Sequence, residues 1–302
     1  MAGAARRAAA VIGLTAAALS LAACSGGGAA APDAPAANGG TYGIAAQRVL
    51  PAPGSMLAAT EVQANGDLWT LTGPASAGLF EISSVTGRVK ASFPVSRFAR
   101  SVAESPAGVI ALALDTGRSG ALQLLNATTR KVTQVVRFPL PAEQVVVGRH
   151  SGTFYVLTAG AGLARVMIVN GQDGRVTGTV AVPPDVVSVA LDATQATLYA
   201  MERGGLLDQI SVPDGKLLAQ IRAGSGGGES VTLSPDGRTV YVLEQLGGVA
   251  NIAIVDPAAK SVAKVLPAPG TCVQVLVSPG GSQLYEVVRA ARTGSIQVAA
   301  AA

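Results

Sequence analysis

The chain has 302 residues, 13% of them charged and 4% aromatic, with a net charge of +4 at neutral pH. So even a balance, with the basic residues scattered, excludes the basic stripe that a nucleic-acid surface requires. One histidine and, with Cys24 of the N-terminal segment set aside, one free cysteine fall short of the three or four nitrogen and sulfur ligands of a zinc site.

Taken in chain order, the N-terminus stands apart. Arg6 and Arg7 precede an apolar run from Ala8 to Leu21 whose polar residues are Thr15 and Ser20. A positive start, a short apolar stretch and small residues before a cut describe a secretory signal. The run is short for a membrane-spanning helix, which needs ~20 apolar residues. Leu21-Ala22-Ala23-Cys24 resembles the bacterial lipobox. That resemblance implies cleavage before Cys24 and lipid on its sulfur, an anchor of several chains that holds where one acyl chain does not. Residues 1–23 are then the signal and 24–41 a lipidated cysteine and tether. The stretch SGGGAAAPDAPAANGG has almost no large apolar side chain and cannot offset the entropy of ordering. Cleavage removes Arg6 and Arg7 and no acid, and Cys272 is left as the remaining thiol, either a small buried apolar residue, the commoner case, or an exposed thiol.

Residues 42–302 repeat. VLPAPG occurs at Val49–Gly54 and again at Val265–Gly270, 216 residues or five periods of about 43 apart. Between the copies, strand–turn–strand units place a large residue at matching points: Trp69, Leu112, Tyr155, Tyr199, Tyr241 and Tyr285. A period of this size in short strands predicts an all-β, six-bladed β-propeller. The units run about 57–95, 100–139, 144–182, 187–222, 230–266, and 273–302 completed by 42–53. The last unit is one strand short, so Tyr42–Leu50 is expected to supply its outer strand and close the ring through the two chain ends, removing exposed edges. The regular spacing of the large residues predicts packing between blades.

The fifth unit has the plainest hairpin, Ser234-Pro235-Asp236-Gly237-Arg238 followed by TVYVLE. This segment resembles the repeat of YVTN-type β-propellers, although Leu243-Glu244 stands where the family motif has Thr-Asn. The resemblance implies a propeller of a secreted or surface protein.

Chemistry is sparse. His150 lies in a strand 1–2 turn and reads as a solvated turn residue. Gly224–Gly228 lacks the Lys-Ser/Thr of a phosphate loop and reads as an inter-blade linker. The face carrying the strand 2–3 loops and the blade-to-blade crossings is the expected binding rim. Its charged residues are Arg97, Arg100, Asp115, Arg118, Glu143, Asp185, Glu202, Arg203, Glu229, Glu244, Arg289 and Arg292. Asp115, Glu202, Arg203, Glu244 and Arg289 are the candidate ligand contacts. Glu202 and Glu244 fall at matching ends of strand 2, with Asp115 in a similar place. Carboxylates converging there could coordinate a divalent cation; a solvated rim of mixed sign is the simpler reading. The expected protein is a monomeric, lipid-anchored, non-enzymatic binding or scaffold module on the extracytoplasmic face of the cell membrane. It has no cofactor, and its partner is an envelope protein or small ligand. The alternative is a propeller lactonase or hydrolase with a metal in the channel; a quinone-dependent dehydrogenase is disfavoured by the single tryptophan.

Overall fold

A computed structural model describes residues 48–61, 65–73, 77–149, 151–290 and 294–301. The signal, Cys24, the tether, Tyr42 to Gln47, His150 and Arg292 lie outside the described residues. Every regular element described is a strand, arranged as six antiparallel four-stranded sheets. Blade 6 opens and closes the chain. Its outer strand is β1 (Arg48–Pro51). Blade 1 is β2 (Met56–Glu61), β3 (Leu68–Thr72), β4 (Gly78–Ile82) and β5 (Val89–Pro94). Blade 2 is β6 (Ala99–Glu104), β7 (Val109–Asp115), β8 (Gly120–Asn126) and β9 (Val132–Phe138). Blade 3 is β10 (Ala142–Val147), β11 (Thr153–Gly160), β12 (Leu163–Asn170) and β13 (Val176–Val182). Blade 4 is β14 (Val186–Leu191), β15 (Thr197–Glu202), β16 (Leu206–Ser211) and β17 (Leu217–Arg222). Blade 5 is β18 (Gly228–Leu233), β19 (Val240–Leu246), β20 (Val249–Asp256) and β21 (Ser261–Ala268). The rest of blade 6 is β22 (Cys272–Val277), β23 (Gln283–Val288) and β24 (Ser295–Ala300).

The ring closes as expected. β1 pairs antiparallel with β24, placing Leu50 opposite Ile296 and Pro51 opposite Ser295. Both copies of VLPAPG end an outer strand and begin a crossing. Proline is tolerated there because an edge strand has no neighbour waiting for its N–H. Arg48 donates to the carbonyl oxygens of Ser84 (2.5 Å) and Val85 (3.1 Å) in blade 1. Gly87 permits that approach: its φ is +70°, and a Cβ there would sit 2.8 Å from Pro51 Cδ.

The core is a set of six apolar clusters, one per blade junction. Trp69, Tyr155, Tyr199, Tyr241 and Tyr285 are all buried in these clusters. Leu112 is not their counterpart. Its side chain packs with Trp69 at the junction behind it, while Ala111 and Ala113 face forward with Phe154. The hairpin joining β6 to β7 is one residue shorter than in the other blades, and a one-residue slip turns every side chain to the other face. Phe154 stands where the other blades have Leu68, Ile110, Leu198, Val240 and Leu284, and its extra volume matches the small Ala111.

Two features repeat around the ring. First, each inner strand carries a β-bulge after its first residue, between Met56/Ala58, Ala99/Ser101, Ala142/Gln144, Val186/Ser188, Gly228/Ser230 and Cys272/Gln274. Second, the side chain after the bulge accepts a hydrogen bond from the next blade's inner strand. Ser101 Oγ accepts from Val145 N (3.2 Å), Gln144 Oε1 from Val189 N (2.6 Å) and Ser188 Oγ from Val231 N (3.1 Å). Ser230 Oγ accepts from Val275 N (3.5 Å) and Gln274 Oε1 from Ala59 N (2.7 Å). At the sixth junction the corresponding residue is Ala58, whose methyl accepts nothing. Ser188→Ala, which removes a buried acceptor, lowers unfolding stability by about 1–2 kcal/mol. Ala58→Ser, which supplies the missing acceptor, raises the melting temperature; both are read by thermal and urea unfolding.

Candidate functional site

The bulges position the channel mouth. Each turns one side chain into the bore on the crossing face: Leu57, Arg100, Glu143, Val187, Glu229 and Val273. These six and the residues after them enclose a cavity of ≈ 110 Å³. Bulges commonly re-aim side chains in this way beside functional sites.

Outside this ring lies a second. In every blade the first N–H beyond the equivalent point of strand 2 donates to a carbonyl of the incoming crossing. The pairs are Gly73 to Ser55, Asp115 to Phe98, Ala159 to Pro141, Arg203 to Asp185, Gln245 to Gly227 and Arg289 to Thr271, at 2.7–3.0 Å. Asp115, Arg203 and Arg289 therefore share one structural rank. Glu202 and Glu244 share the rank before it, where blade 2 has Leu114. The expectation that Asp115 matches Glu202 and Glu244 is corrected by the same short hairpin that displaced Leu112.

The five candidate contacts do different things. Asp115 receives Arg100 Nη2 at 3.0 Å. Arg289 Nε donates to Met56 O at 3.0 Å and ties blade 6 to blade 1. The Glu244 carboxylate rests against the glycine-rich crossing from blade 4, near the N–H groups of Ser225 and Gly226 and near Arg222, with its Oε1 buried and without a hydrogen-bond partner. Burial nonetheless raises its pKa. Gly224–Gly228 is indeed the inter-blade linker, and a Cβ at Gly224 would displace the Glu244 carboxylate from its place. Glu202 is 8% exposed and hydrogen-bonds the carboxyls of Asp208, itself 1% exposed, and Asp185. Gln220 Nε2 donates to Asp208 Oδ1 at 2.9 Å. Burial first, then the two neighbouring acids, push Glu202 up to about 7. These carboxylates do not share one centre, and among the described residues no group of three or more His, Cys, Asp or Glu is placed to hold a metal ion.

Arg203 is the candidate that lines a cavity. With Glu143, Asp185 and Glu229 it borders a cleft of ≈ 410 Å³ floored by Ala159, Pro184, Val186 and Val187. The cleft shares Glu143, Val187 and Glu229 with the channel mouth. Blade 3 borders it with the methyl of Ala159, in a rank where blades 2, 4, 5 and 6 carry Asp115, Arg203, Gln245 and Arg289 and blade 1 carries Gly73. Burial and then Asp115 raise the Glu143 pKa, against the opposing pull of Arg100. Glu143 and Glu229 belonged to the broad rim set but were not singled out. The signal that marks them is the recurring polar residue just behind, Gln144 and Ser230, inside otherwise apolar strands.

The opposite face opens into a more apolar cavity of ≈ 420 Å³ lined by Leu68, Leu233, Leu276 and Tyr285, with Glu61 and Arg149. Burial pushes Glu61 up to about 7, with Arg149 opposing. Cys272 is a buried free thiol, pushed up to about 12 by burial and then by Glu286, so it is inert at neutral pH.

No family model matches the chain, and no curated protein matches it. Among solved structures it is similar to the hydrazine synthase of Kuenenia stuttgartiensis, at 15% identity and a TM-score of 0.61, over 79% of this chain and 74% of that one. It is also similar to U3-55K, at 11% identity and a TM-score of 0.63, over 83% of this chain and 98% of that one. Likeness at this identity shows the β-propeller fold alone.

The raised pKa of Glu202 makes stability depend on pH. The folded value lies above the ordinary 4.5, so its stabilising contribution is complete below that value and lost as pH rises through about 7. Glu202→Gln keeps the hydrogen bonds without titrating. It is expected to match the wild type near pH 5 and exceed it by about 1–3 kcal/mol at pH 8, measured by urea unfolding at both pH values.

Proposed function

We propose that this chain is a non-enzymatic binding module, held by a lipidated Cys24 on the extracytoplasmic face of a membrane and engaging its ligand through the crossing-face cleft. The observation that carries the binding reading is that cleft, a concave site with an apolar floor and few convergent charges, as binding sites commonly are. Its placement at the channel mouth leaves it bounded by three consecutive blades. The export and anchoring reading is supported by the signal-like N-terminus, the Leu-Ala-Ala-Cys sequence and the tether-like composition that follows. The likeness of SPDGRTVYVLE to YVTN-type repeats supports the same setting.

A metal-dependent hydrolase required Glu202, Glu244 and Asp115 to act together. Each is instead committed locally, to Asp208 and Asp185, to the glycine-rich crossing and to Arg100. Binding is the better use of this rim.

Two measurements test the reading. In cells making the full chain, the wild type partitions into the detergent phase and incorporates labelled fatty acid, and Cys24→Ser does neither; equal behaviour would remove the anchor. Cross-linking on intact cells, compared between wild type and Ala159→Arg, tests the cleft. The arginine supplies the long side chain that blades 4, 5 and 6 carry at this rank and fills the space. A cross-linked species lost in the variant supports the cleft, and identical species in both place binding elsewhere.

A further inference from the structure

We propose that the crossing-face cleft takes an organic cation, an ammonium or guanidinium group on an aliphatic stem such as a lysine or arginine side chain. This rests on reading the cleft as the binding site. Two observations independent of its charge single the place out. One is the cavity itself, ≈ 410 Å³ with a floor of Ala159, Pro184, Val186 and Val187. The other is the small side chain at Ala159, which like Gly73 in blade 1 lacks the polar group four other blades carry, and in blade 3 the space opens between Glu143 and Val187. All six blades, blade 3 included, keep the same backbone hydrogen bond, so the opening is made by side chains and leaves the scaffold intact.

The chemistry of the lining then selects the ligand. Glu143 from blade 3 and Glu229 from blade 5 flank Val187 of blade 4 at the mouth, and Asp185 stands beside Pro184. Glu143 and Glu229 bring the carboxylates left for a ligand beside one guanidinium, Arg203, while the third, Asp185, is hydrogen-bonded to Glu202. Arg100, the other cation at the mouth, is already paired with Asp115 at 3.0 Å. Burial works against the charge on Glu143, which an incoming cation would offset. The floor of proline, valine and alanine suits the methylene stem that a lysine or arginine lays along apolar surface while its charged end stays polar. An anionic group would meet the carboxylates first. A neutral one would leave them without a partner as water is displaced.

The test uses the folded protein, isotope-labelled and titrated by NMR with acetyl-Ala-Lys-Ala-amide. Its arginine, norleucine and glutamate analogues are compared, and cadaverine serves as a free amine. The lysine and arginine peptides are expected to bind saturably, and roughly tenfold tighter than the norleucine peptide of equal stem length. Glu143→Gln and Glu229→Gln should each weaken lysine binding roughly fivefold, and Ala159→Arg should abolish it with the spectrum otherwise native. Cadaverine binding as tightly as the peptide would identify free amines as the source of the cation; a peptide preference would identify a protein-borne side chain. Norleucine or glutamate binding as tightly as lysine, yet blocked by Ala159→Arg, would overturn the cation and keep the cleft. Lysine binding that survives Ala159→Arg would remove the cleft itself. No binding by any of these probes would also overturn the inference.

Discussion

The pairing of β1 with β24 is the constraint on which the rest depends. Each blade buries one sheet face against the next, so every apolar cluster has its two walls in different blades. A ring of this kind satisfies all its junctions together or leaves two faces open. Leu50, Ile296 and Val298 belong to the same cluster as Met56, Leu68 and Ile82, so the closing strand also completes the wall on which blade 1 packs. Removing four residues of β1 would expose more than one strand edge.

Around that closure the molecule is periodic, and periodicity is what the sequence carries well. The duplicated VLPAPG located both outer strands and with them the shared last blade. The aromatic series located five forward-facing core positions. Blade 2 escaped because Ala-Leu-Ala-Leu alternates without a bulky marker, so Leu112 and Ala111 are equally plausible until the length of the preceding turn is known. The same shift moved Asp115 out of rank with Glu202 and Glu244. Those two glutamates were aligned correctly, but alignment along a strand does not say whether a side chain meets the bore or a blade junction. Their environments, Asp208 on the next strand with Asp185 on the incoming crossing for Glu202 and the glycine-rich crossing for Glu244, appear only once the strands are folded together.

The cleft was harder still to read, because it is made by something small. Ala159 is unremarkable in the run Thr158-Ala159-Gly160 and becomes informative only when superposed on Asp115, Arg203, Gln245 and Arg289. Ala159, like Gly73 in blade 1, keeps a structural duty that every blade performs and drops the side chain. Ala159 still makes its backbone hydrogen bond to Pro141, so the scaffold keeps its stitch while the surface gains a hollow. Charge then accumulates at the bulge residues, which belong to the bore and carry no inter-blade hydrogen bond of their own. They are free to vary, and the residues immediately behind them are not.

Closure through the chain ends also sets an order of events. Arg48 and Val298 are partners about 250 residues apart, so blade 6 cannot be completed until its last strand has been made. Until then β1 waits without a partner and β24 does not exist. The five complete blades can form from local hairpins, but the final pairing carries the full entropic cost of joining distant segments. Until the ends meet, β1 and β24 each keep an unpaired edge, open to pairing with a second copy. For a chain that folds as it is made, the time spent with those edges unpaired, more than the strength of any single blade, would govern how much of it reaches the closed form.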